Sequence, residues 1–391
     1  MIYLDHHSTT PMSAAAVEAM VPWMRAAANP HSDHALGRSA SDAIESSLHT
    51  VADLMGTQAD RVLVTSGATE SNNLAIRGVM THRRQKRRRL VTLATEHPCV
   101  LEVAESLGPQ FEVRLANVDA VGRVDLDHLA ELCDDQTALV SIAAANNEIG
   151  VVADLPAIAA VVHRCGALLH SDATQHIGRR PLSIATDGID LVSGSAHKFH
   201  GPMGCGFLVV GGADRRVRIS PQIIGGGQQR GLRSGTMNVP AIVGMAAALS
   251  QVHATMADDR IRIRSLRNQL WDRLANHIDG LDEASINGPP LDSQDRLEAN
   301  LNFALPSVEG EAWIVATPEV ALSSGSACSH VDPAPSHVLT AIGRDESFAR
   351  RSVRFGLGRD NTPGEVKIAA DRLIESYHRL LGTFQSRSTG G

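Results

Sequence analysis

The sequence predicts an α/β protein with a mostly parallel β-sheet covered by helices. Apolar runs bounded by Gly, Asp or Ser alternate with stretches of helical periodicity, the pattern typical of this class. The chain has 391 residues, 43% of them hydrophobic, so it can bury a large core, and two domains are the default expectation. The candidate strands include residues 61–65, 90–94, 138–143, 167–170, 191–193 and 207–210.

A long helical stretch separates the predicted sheet from the rest of the chain. The helical pattern runs from about residue 242 to residue 278, and short strands and helices follow it. We therefore expect a second, smaller domain after the long helix.

The composition excludes some classes of function. Aromatic residues are only 3% of the chain, so the core must be built from Ala, Leu, Val and Ile. A net charge of −7 and a pI of about 6.2 suit a soluble enzyme of small substrates and argue against direct DNA binding. The one strongly basic run, residues 83–89, is either a solvated connection before the strand at Leu90 or a docking site for an acidic partner or RNA.

Cysteine usage and the first residues predict the compartment. An odd number of cysteines without CxxC spacing indicates a reducing environment. The chain opens without a positively charged start or an apolar segment, and we expect no run long enough to span a bilayer. A cytoplasmic protein with no membrane contact is the prediction. The cysteines are Cys99, Cys133, Cys165, Cys205 and Cys328.

Polar residues follow the predicted strands at their carboxyl ends, where ligands gather in parallel sheets. Lys198 and Asp172 suggest a site for pyridoxal 5'-phosphate (PLP). A lysine amine forms a Schiff base with the aldehyde, and a carboxylate beside the pyridine nitrogen keeps it protonated, so that the ring acts as an electron sink. Either residue alone is weak evidence, since most Asp and Lys side chains are solvated. The full set is Thr69, His97, Asn147, Asp172 and residues 195–198.

Residues 66–73 are a candidate phosphate site. They follow a strand and open a helix, so backbone N–H groups and the helix dipole can hold a dianion, and Gly67 permits the tight turn. The alternative is an ordinary strand-to-helix turn with a capping Ser or Thr. Ser195 and His197 are further donors that favour a phosphate. The glycine-rich run 225–231 lacks the strand, helix and acid of a dinucleotide fold, and no P-loop lysine follows, which excludes NAD and ATP.

Two further side chains have more than one interpretation. His97 either stacks on the cofactor ring and shuttles protons, or is a packed or surface histidine. Cys328 lies in a run of small residues, 323–330, that predicts a mobile loop with a reactive thiol, and an unreactive loop cysteine is the alternative. Cys133 and Cys165 fall in helical patterns and are predicted to be inert. No ligand set at zinc spacing is recognisable, so no metal is expected.

These motifs together resemble one family, the cysteine desulfurases of the class V aminotransferase superfamily. The resemblance runs from Tyr3 to about Leu381, and the run at 323–328 is similar to that of the subgroup with a long, flexible cysteine loop. The order and spacing of the motifs are jointly specific. The matching segments are residues 3–5, 9–11, 65–73, 95–97, 146–150, 172–175, 197–198, 225–236, 323–328, 354–355 and 357–359.

The resemblance implies a fold and a division into domains. The fold would be type I of the PLP-dependent transferases, with a large domain built on a mostly parallel seven-stranded sheet sandwiched by helices, plus a smaller α+β domain. The large, PLP-binding domain would comprise residues 16–255. The small domain would comprise residues 1–15 and 256–391 and would carry the catalytic cysteine loop at about 323–335.

The resemblance also implies roles for single residues. Lys198 would bind the cofactor aldehyde and later move protons at the substrate Cα, His97 would stack on the ring as acid or base, and Cys328 would attack the substrate sulfur. Asn147 would contact cofactor and substrate, and Arg354 would hold the substrate carboxylate by a bidentate pair. The other cofactor contacts would be Asp172 at the pyridine nitrogen, Gln175 at the ring hydroxyl, Ala68, Thr69, Ser195 and His197 at the phosphate, and Thr236 from a second subunit.

The implied activity is conversion of L-cysteine to L-alanine by a homodimer, with the sulfur left on Cys328 as a persulfide for an acceptor protein. The acceptor stays open between an iron–sulfur scaffold and thiolation of tRNA, a cofactor or DNA, because the chain ends soon after Leu381, without the extended tail of housekeeping members. Residues 6–8, His-His-Ser, replace the more usual Asn or Tyr followed by small residues. Two alternatives remain: another PLP enzyme, such as an aminotransferase or selenocysteine lyase, or a non-catalytic dimeric platform for sulfur-transfer partners.

Overall fold

The computed structural model describes residues 1–212, 215–324 and 335–388. Within these ranges the strands are β1 Ile2–Tyr3, β2 Val62–Thr65, β3 Arg89–Leu93, β4 Glu112–Ala116, β5 Thr137–Ser141, β6 Leu168–Asp172, β7 Leu191–Ser195, β8 Gly206–Val210, β9 Asn300–Ala304, β10 Val320–Ala321 and β11 Ser352–Gly356. The α-helices are α1 Ala14–Met24, α2 Ala35–Met55, α3 Ala68–Met80, α4 Pro98–Glu105, α5 Leu126–Leu132, α6 Leu155–Arg164, α7 Ile184–Asp187, α8 Val239–Ala275, α9 Gly310–Ala316, α10 His337–Ala341, α11 Glu346–Arg350 and α12 Pro363–Ser388.

A seven-stranded sheet forms the centre of the larger part of the molecule. Its strands lie in the order β2-β8-β7-β6-β5-β3-β4. Neighbouring strands are parallel, except that β8 runs antiparallel to both β2 and β7. This confirms the predicted mostly parallel sheet.

Helices cover both faces of this sheet because its strands are apolar on both faces. In β2, Val62 and Val64 belong to one buried cluster, whereas Leu63 between them belongs to another, as the alternation of side chains along a strand requires. The first cluster includes apolar residues of α1, α2, α6 and the first half of α8, and the second includes those of α3 and α4. Continuous apolar runs are typical of a parallel sheet buried in this way.

A separate core forms around the remaining strands and helices. Strand β11 pairs antiparallel with β9, and β1 pairs parallel with β10. Their apolar side chains pack with Trp313 and with residues of α12 and the second half of α8. Leu4 belongs to this core although it lies near the start of the chain. The division into residues 16–255 and the remainder stays a prediction. Helix α8 contributes both to the core around the large sheet and to this second core.

Helix α8 differs from the sequence expectation in one respect. By length and composition alone it is apolar enough to cross a membrane, which the sequence analysis did not anticipate. Half of its most apolar window is buried inside the protein. The core helix of a folded protein meets the same criterion, so the finding is weak evidence for a membrane span.

Candidate active site

A cavity of about 630 Å³ opens where the strands of the large sheet end. The residues after β2, β3 and β5 and the last residues of β6 and β7 contribute to its wall. It brings together ten of the twelve predicted site residues: Ala68, Thr69, His97, Asn147, Asp172, Gln175, Ser195, His197, Lys198 and Arg354. Thr236 is exposed and is not part of the cavity wall, and Cys328 lies outside the described residues.

Asp172 is the last residue of β6 and is held by two hydrogen bonds. Its Oδ1 accepts from the backbone N–H of Thr174 at 2.9 Å, and its Oδ2 accepts from Nδ2 of Asn72 at 2.7 Å. The carboxylate is only 7% exposed. Because hydrogen bonds to a carboxylate are strong, these two fix its orientation in the cavity wall. Asn72 lies in α3 and is a contact that the sequence analysis missed.

Lys198 reaches the cavity from a short turn that follows β7. Its Nζ donates to the backbone carbonyl of His7 and, at 2.8 Å, to that of Ser8. His7 and Ser8 come from the segment before α1, so the lysine ties that segment to the sheet. The carbonyl of the neighbouring His197 likewise accepts from the backbone N–H of Thr10 at 2.9 Å.

The start of α3 forms an anion site beside the lysine. Gly67, at φ 147°, makes the turn from β2 into the helix, a conformation that favours glycine. Ala68 and Thr69 are the first helical residues, so their N–H groups have no partner within the helix. Ser195 lies close by, since a Cβ on Gly67 would be 3.5 Å from its Oγ.

His197 completes this side of the cavity as a neutral ring. Its Nδ1 lies 3.1 Å from Oγ1 of Thr9. Burial, together with the charges of Lys198 and Arg179, lowers the pKa of His197 to about 4. The uncharged imidazole can therefore offer a hydrogen bond to a phosphate at neutral pH without a charge of its own.

His97 immediately precedes α4 and caps it. Its Nδ1 accepts from the backbone N–H of Cys99 at 3.1 Å. Burial is the main cause that lowers the pKa of His97 below 6.5, and the charge of Asp172 opposes it. The neutral ring therefore carries its proton on Nε2, because Nδ1 is occupied as an acceptor.

Arg354, in β11, enters the cavity from the second core. Its guanidinium donates to the backbone carbonyl of Asn147 at 3.2 Å, to Oγ of Ser8 at 2.8 Å and to Oδ1 of Asp5 at 3.1 Å. Its Nε is buried without a hydrogen-bond partner among the described residues. A cation held in this way retains donor capacity for a carboxylate. Ser8 and Asp5 are contacts that the sequence analysis did not assign.

Three described thiols are chemically quiet. Burial is the main cause that raises the pKa of Cys99, Cys133 and Cys205 to about 12 each. Thiols with such a pKa carry almost no thiolate at neutral pH. Cys99 lies in the cavity wall and is the described thiol that a substrate could reach, yet it is not a nucleophile in this state.

The residues of the cavity fit PLP. An amine, a buried carboxylate and a helix N-terminus lie in one cavity, which matches the aldehyde, the pyridine nitrogen and the phosphate of that cofactor. The volume lies within the range of small-molecule sites. The fold and the site therefore define an α/β enzyme that uses PLP as its cofactor.

Comparison with known proteins identifies the family. The model of the aminotransferase class-V family matches residues 2–368. A cysteine desulfurase IscS of Ehrlichia chaffeensis is 40% identical over 381 residues, which cover 97% of this chain and 92% of the relative. The chain belongs to the aminotransferase class-V family and, within it, to the cysteine desulfurases. The expectations of family, fold and cofactor are thereby confirmed.

Solved structures agree with this assignment. A structure described as a NifS-like protein superposes with a TM-score of 0.86 at 33% identity, covering 96% of this chain and 98% of that one. Another, described as SspA in complex with cysteine, gives a TM-score of 0.78 at 30% identity, with 93% and 100% coverage. Both likenesses span nearly the whole chain.

Proposed function

We propose that this protein removes sulfur from L-cysteine, releases L-alanine and retains the sulfur as a persulfide on Cys328. The observation that carries the proposal is the convergence of Lys198, Asp172 and Arg354 on one cavity. The cysteine desulfurase relatives support the reaction, and the cysteine named in the SspA structure supports the substrate. Cys99 lies in the cavity wall, but burial raises the pKa of its thiol to about 12, so we assign the nucleophile to Cys328, as the family resemblance implies.

The residues of the cavity divide the work. PLP, when bound, supplies an electron sink that makes the substrate Cα proton acidic and weakens the Cβ–S bond. Lys198 would hold the cofactor, and its amine would then move the proton at Cα. Asp172, fixed by Asn72, would hold a proton at the pyridine nitrogen. The first N–H groups of α3 and the side chains of Ser195 and His197 would bind the phosphate.

Substrate binding falls to groups on the other side of the cavity. Arg354 would bind the substrate carboxylate, because it is a cation in the cavity wall and the family resemblance implies this role. Asn147 lines the same cavity, and its backbone carbonyl accepts a hydrogen bond from the arginine. His97, neutral with its proton on Nε2, would act as acid or base at the substrate or the cofactor ring.

A homodimer is part of the proposal. Thr236 is exposed and lies outside the cavity wall of its own chain, so in the dimer it would bind phosphate in the cavity of the second copy. Two apolar side chains support a covered surface in this region: Met203, at the cavity wall, is 68% exposed, and Ile224 is 83% exposed. Analytical ultracentrifugation tests whether the chain forms a dimer. Thr236→Ala should weaken PLP binding while the dimer stays intact.

The destination of the sulfur is a further step of the proposal. We propose a cytoplasmic acceptor protein, either an iron–sulfur scaffold or a thiolation protein, as expected from the family. Incubation of the persulfide form, labelled with ³⁵S, with each kind of acceptor would show which one takes up the label.

The decisive experiment measures alanine and sulfide released from L-cysteine in the presence of a thiol reductant. Wild type should release both in equal amounts, Cys328→Ala should release neither at a significant rate, and Cys99→Ala should behave as wild type. Undiminished turnover of Cys328→Ala would instead favour another PLP enzyme, such as a selenocysteine lyase or aminotransferase. If Lys198→Ala still supported sulfur transfer in cells, the chain would be a non-catalytic platform.

A further inference from the structure

His7 has no role in the mechanism above, yet its side chain lies in the wall of the cofactor cavity. It is completely buried, and its Nδ1 lies 3.0 Å from Oε1 of Gln175. Gln175 is the residue expected at the ring hydroxyl of PLP. His7 thus contacts a residue that is expected to bind the cofactor.

The orientation of the Gln175 amide follows from its other neighbours. Arg179 lies 2.8 Å from one end of the amide, and a guanidinium can only donate, so that end is the oxygen. The other end lies 2.9 Å from the backbone carbonyl of His7, which can only accept, so it is the nitrogen. Arg179 is itself held by the carbonyls of Gln175 and His6, at 2.9 Å and 2.8 Å.

This orientation decides the tautomer of His7. Since Oε1 of Gln175 is an acceptor, Nδ1 of His7 carries the proton and donates. Burial, and then the charges of Arg179, Arg354 and Lys198, hold the pKa of His7 well below 6.5, so the ring is neutral and Nε2 has no proton. Oε1 of Gln175 therefore accepts from both His7 and Arg179, and one N–H of the Gln175 amide donates to the His7 carbonyl. The second N–H of that amide is the group that remains for another partner.

We propose that His7 is a positioning residue which, with Arg179, holds the Gln175 amide so that an N–H group and not the carbonyl oxygen serves the cofactor ring. The inference rests on the proposed function, because Gln175 contacts PLP only if the cavity holds PLP. An N–H donor withdraws charge from the ring oxygen. The ring oxygen then forms a weaker hydrogen bond with the proton on the Lys198 nitrogen, the atom through which the lysine would be joined to the cofactor.

The contacts of His7 argue against a purely structural role. Its Nε2 is buried without a partner among the described residues, and a lone buried acceptor costs stability. A leucine would remove this unpaired atom and would leave Oε1 of Gln175 bonded to Arg179. His7→Leu should therefore unfold at the same temperature as wild type or higher.

The test is a pH titration of the visible absorption of bound PLP, which reports the proton on the Lys198 nitrogen. His7→Leu should raise the midpoint of this titration by about 0.5 pH unit, because the hydrogen bond with which His7 polarises the Gln175 amide is lost. His7→Asn is the matched control, because its Nδ2 is as many bonds from the backbone as Nδ1 of histidine and can donate to Gln175. It should stay near the wild-type midpoint. His7→Ala tests the same loss of a donor if the leucine variant does not fold.

A second background, Gln175→Ala, tests whether His7 acts through the Gln175 amide. In Gln175→Ala, His7→Leu should leave the midpoint unchanged, because His7 acts through that amide. The other charged or titratable side chains of the cavity, which include Glu70, His97, Cys99, Asp172, His197 and Arg354, are the same in all these variants, as is Arg179 beside Gln175. An equal midpoint in wild type and His7→Leu, or an equal shift in both backgrounds, overturns the inference while wild type still desulfurates cysteine. A wild type without PLP absorption would instead overturn the proposed function, and this inference with it.

Discussion

Arg354→Lys tests the assignment of the substrate carboxylate site. Arg354 is 4% exposed and donates to three acceptors on three different residues, Asn147, Ser8 and Asp5. An ammonium keeps the positive charge, but its donors come from one atom, so it cannot serve these acceptors and a substrate carboxylate together. The substitution therefore removes directed hydrogen bonds and leaves the charge in place.

The expected loss follows from the number of bonds to substrate. One hydrogen bond to a charged group contributes about 1.5–3 kcal/mol, which corresponds to an increase of roughly 10- to 150-fold in KM. The carboxylate is bound in the ground state and in the transition state alike, so kcat should change less than KM. Ser8→Ala is the milder companion, since it removes one acceptor of the guanidinium and no charge.

The assay is alanine formation over a range of L-cysteine concentrations, with the PLP absorption recorded for each variant. Retained absorption shows that the cofactor site has survived the substitution. A KM for Arg354→Lys within twofold of wild type, with PLP bound, would refute the assignment of Arg354 to the carboxylate. A comparable weakening of cysteamine binding, measured through the PLP absorption, would also refute it, because cysteamine has no carboxylate.

Three further substitutions test other parts of the site and fold. Asp172→Asn should lower kcat by about 100-fold or more while PLP remains bound, because the pyridine nitrogen loses its charged partner; an unchanged kcat contradicts the role of Asp172. Cys99→Ser should keep wild-type turnover, since a thiol with a pKa of about 12 is protonated; lost persulfide would identify Cys99 as the nucleophile. His176 has a folded pKa of about 3 because of burial, against 6.5 when unfolded, so stability falls as pH drops below 6.5. By pH 5 this residue should lower the free energy of unfolding by about 2 kcal/mol. Between pH 7 and pH 5, the free energy of unfolding of His176→Leu, measured in urea, should therefore fall by about 2 kcal/mol less than that of wild type.

Strand periodicity located the sheet because its strands are apolar on both faces. Strand β4 escaped prediction for a related reason: Arg114 and Leu115 are exposed at the edge of the sheet, so the segment shows no buried run. Residues 83–89 also have a structural part that composition does not reveal. Arg87 donates to the carbonyls of Thr137 and Cys165, and Arg89 pairs with Glu112 and Asp134.

The chemistry-bearing residues of the site were predictable, whereas their supports were not. Lys198 and Asp172 follow strands and carry reactive groups, so residue type and position predict them together. Asn72 carries no chemistry of its own, and its distance of 100 residues from Asp172 leaves no local pattern in the sequence. The pairing of Gln175 with His7 spans 168 residues and depends on the packing of Arg179, which only the fold reveals.

The segment at residues 4–10 joins the two cores at the active site. On one side, His6 N–H donates to the carbonyl of Gly356 at 3.0 Å, and Gly356 N–H donates to that of Leu4 at 2.7 Å, which fixes the segment to β11. On the other side, its carbonyls accept from Lys198 and Gln175. Since β11 also carries Arg354, the substrate arginine and the cofactor lysine are held by the same short segment. A substitution that shifts its backbone should therefore change KM for cysteine and the PLP spectrum together, whereas a change confined to either core should affect one of them.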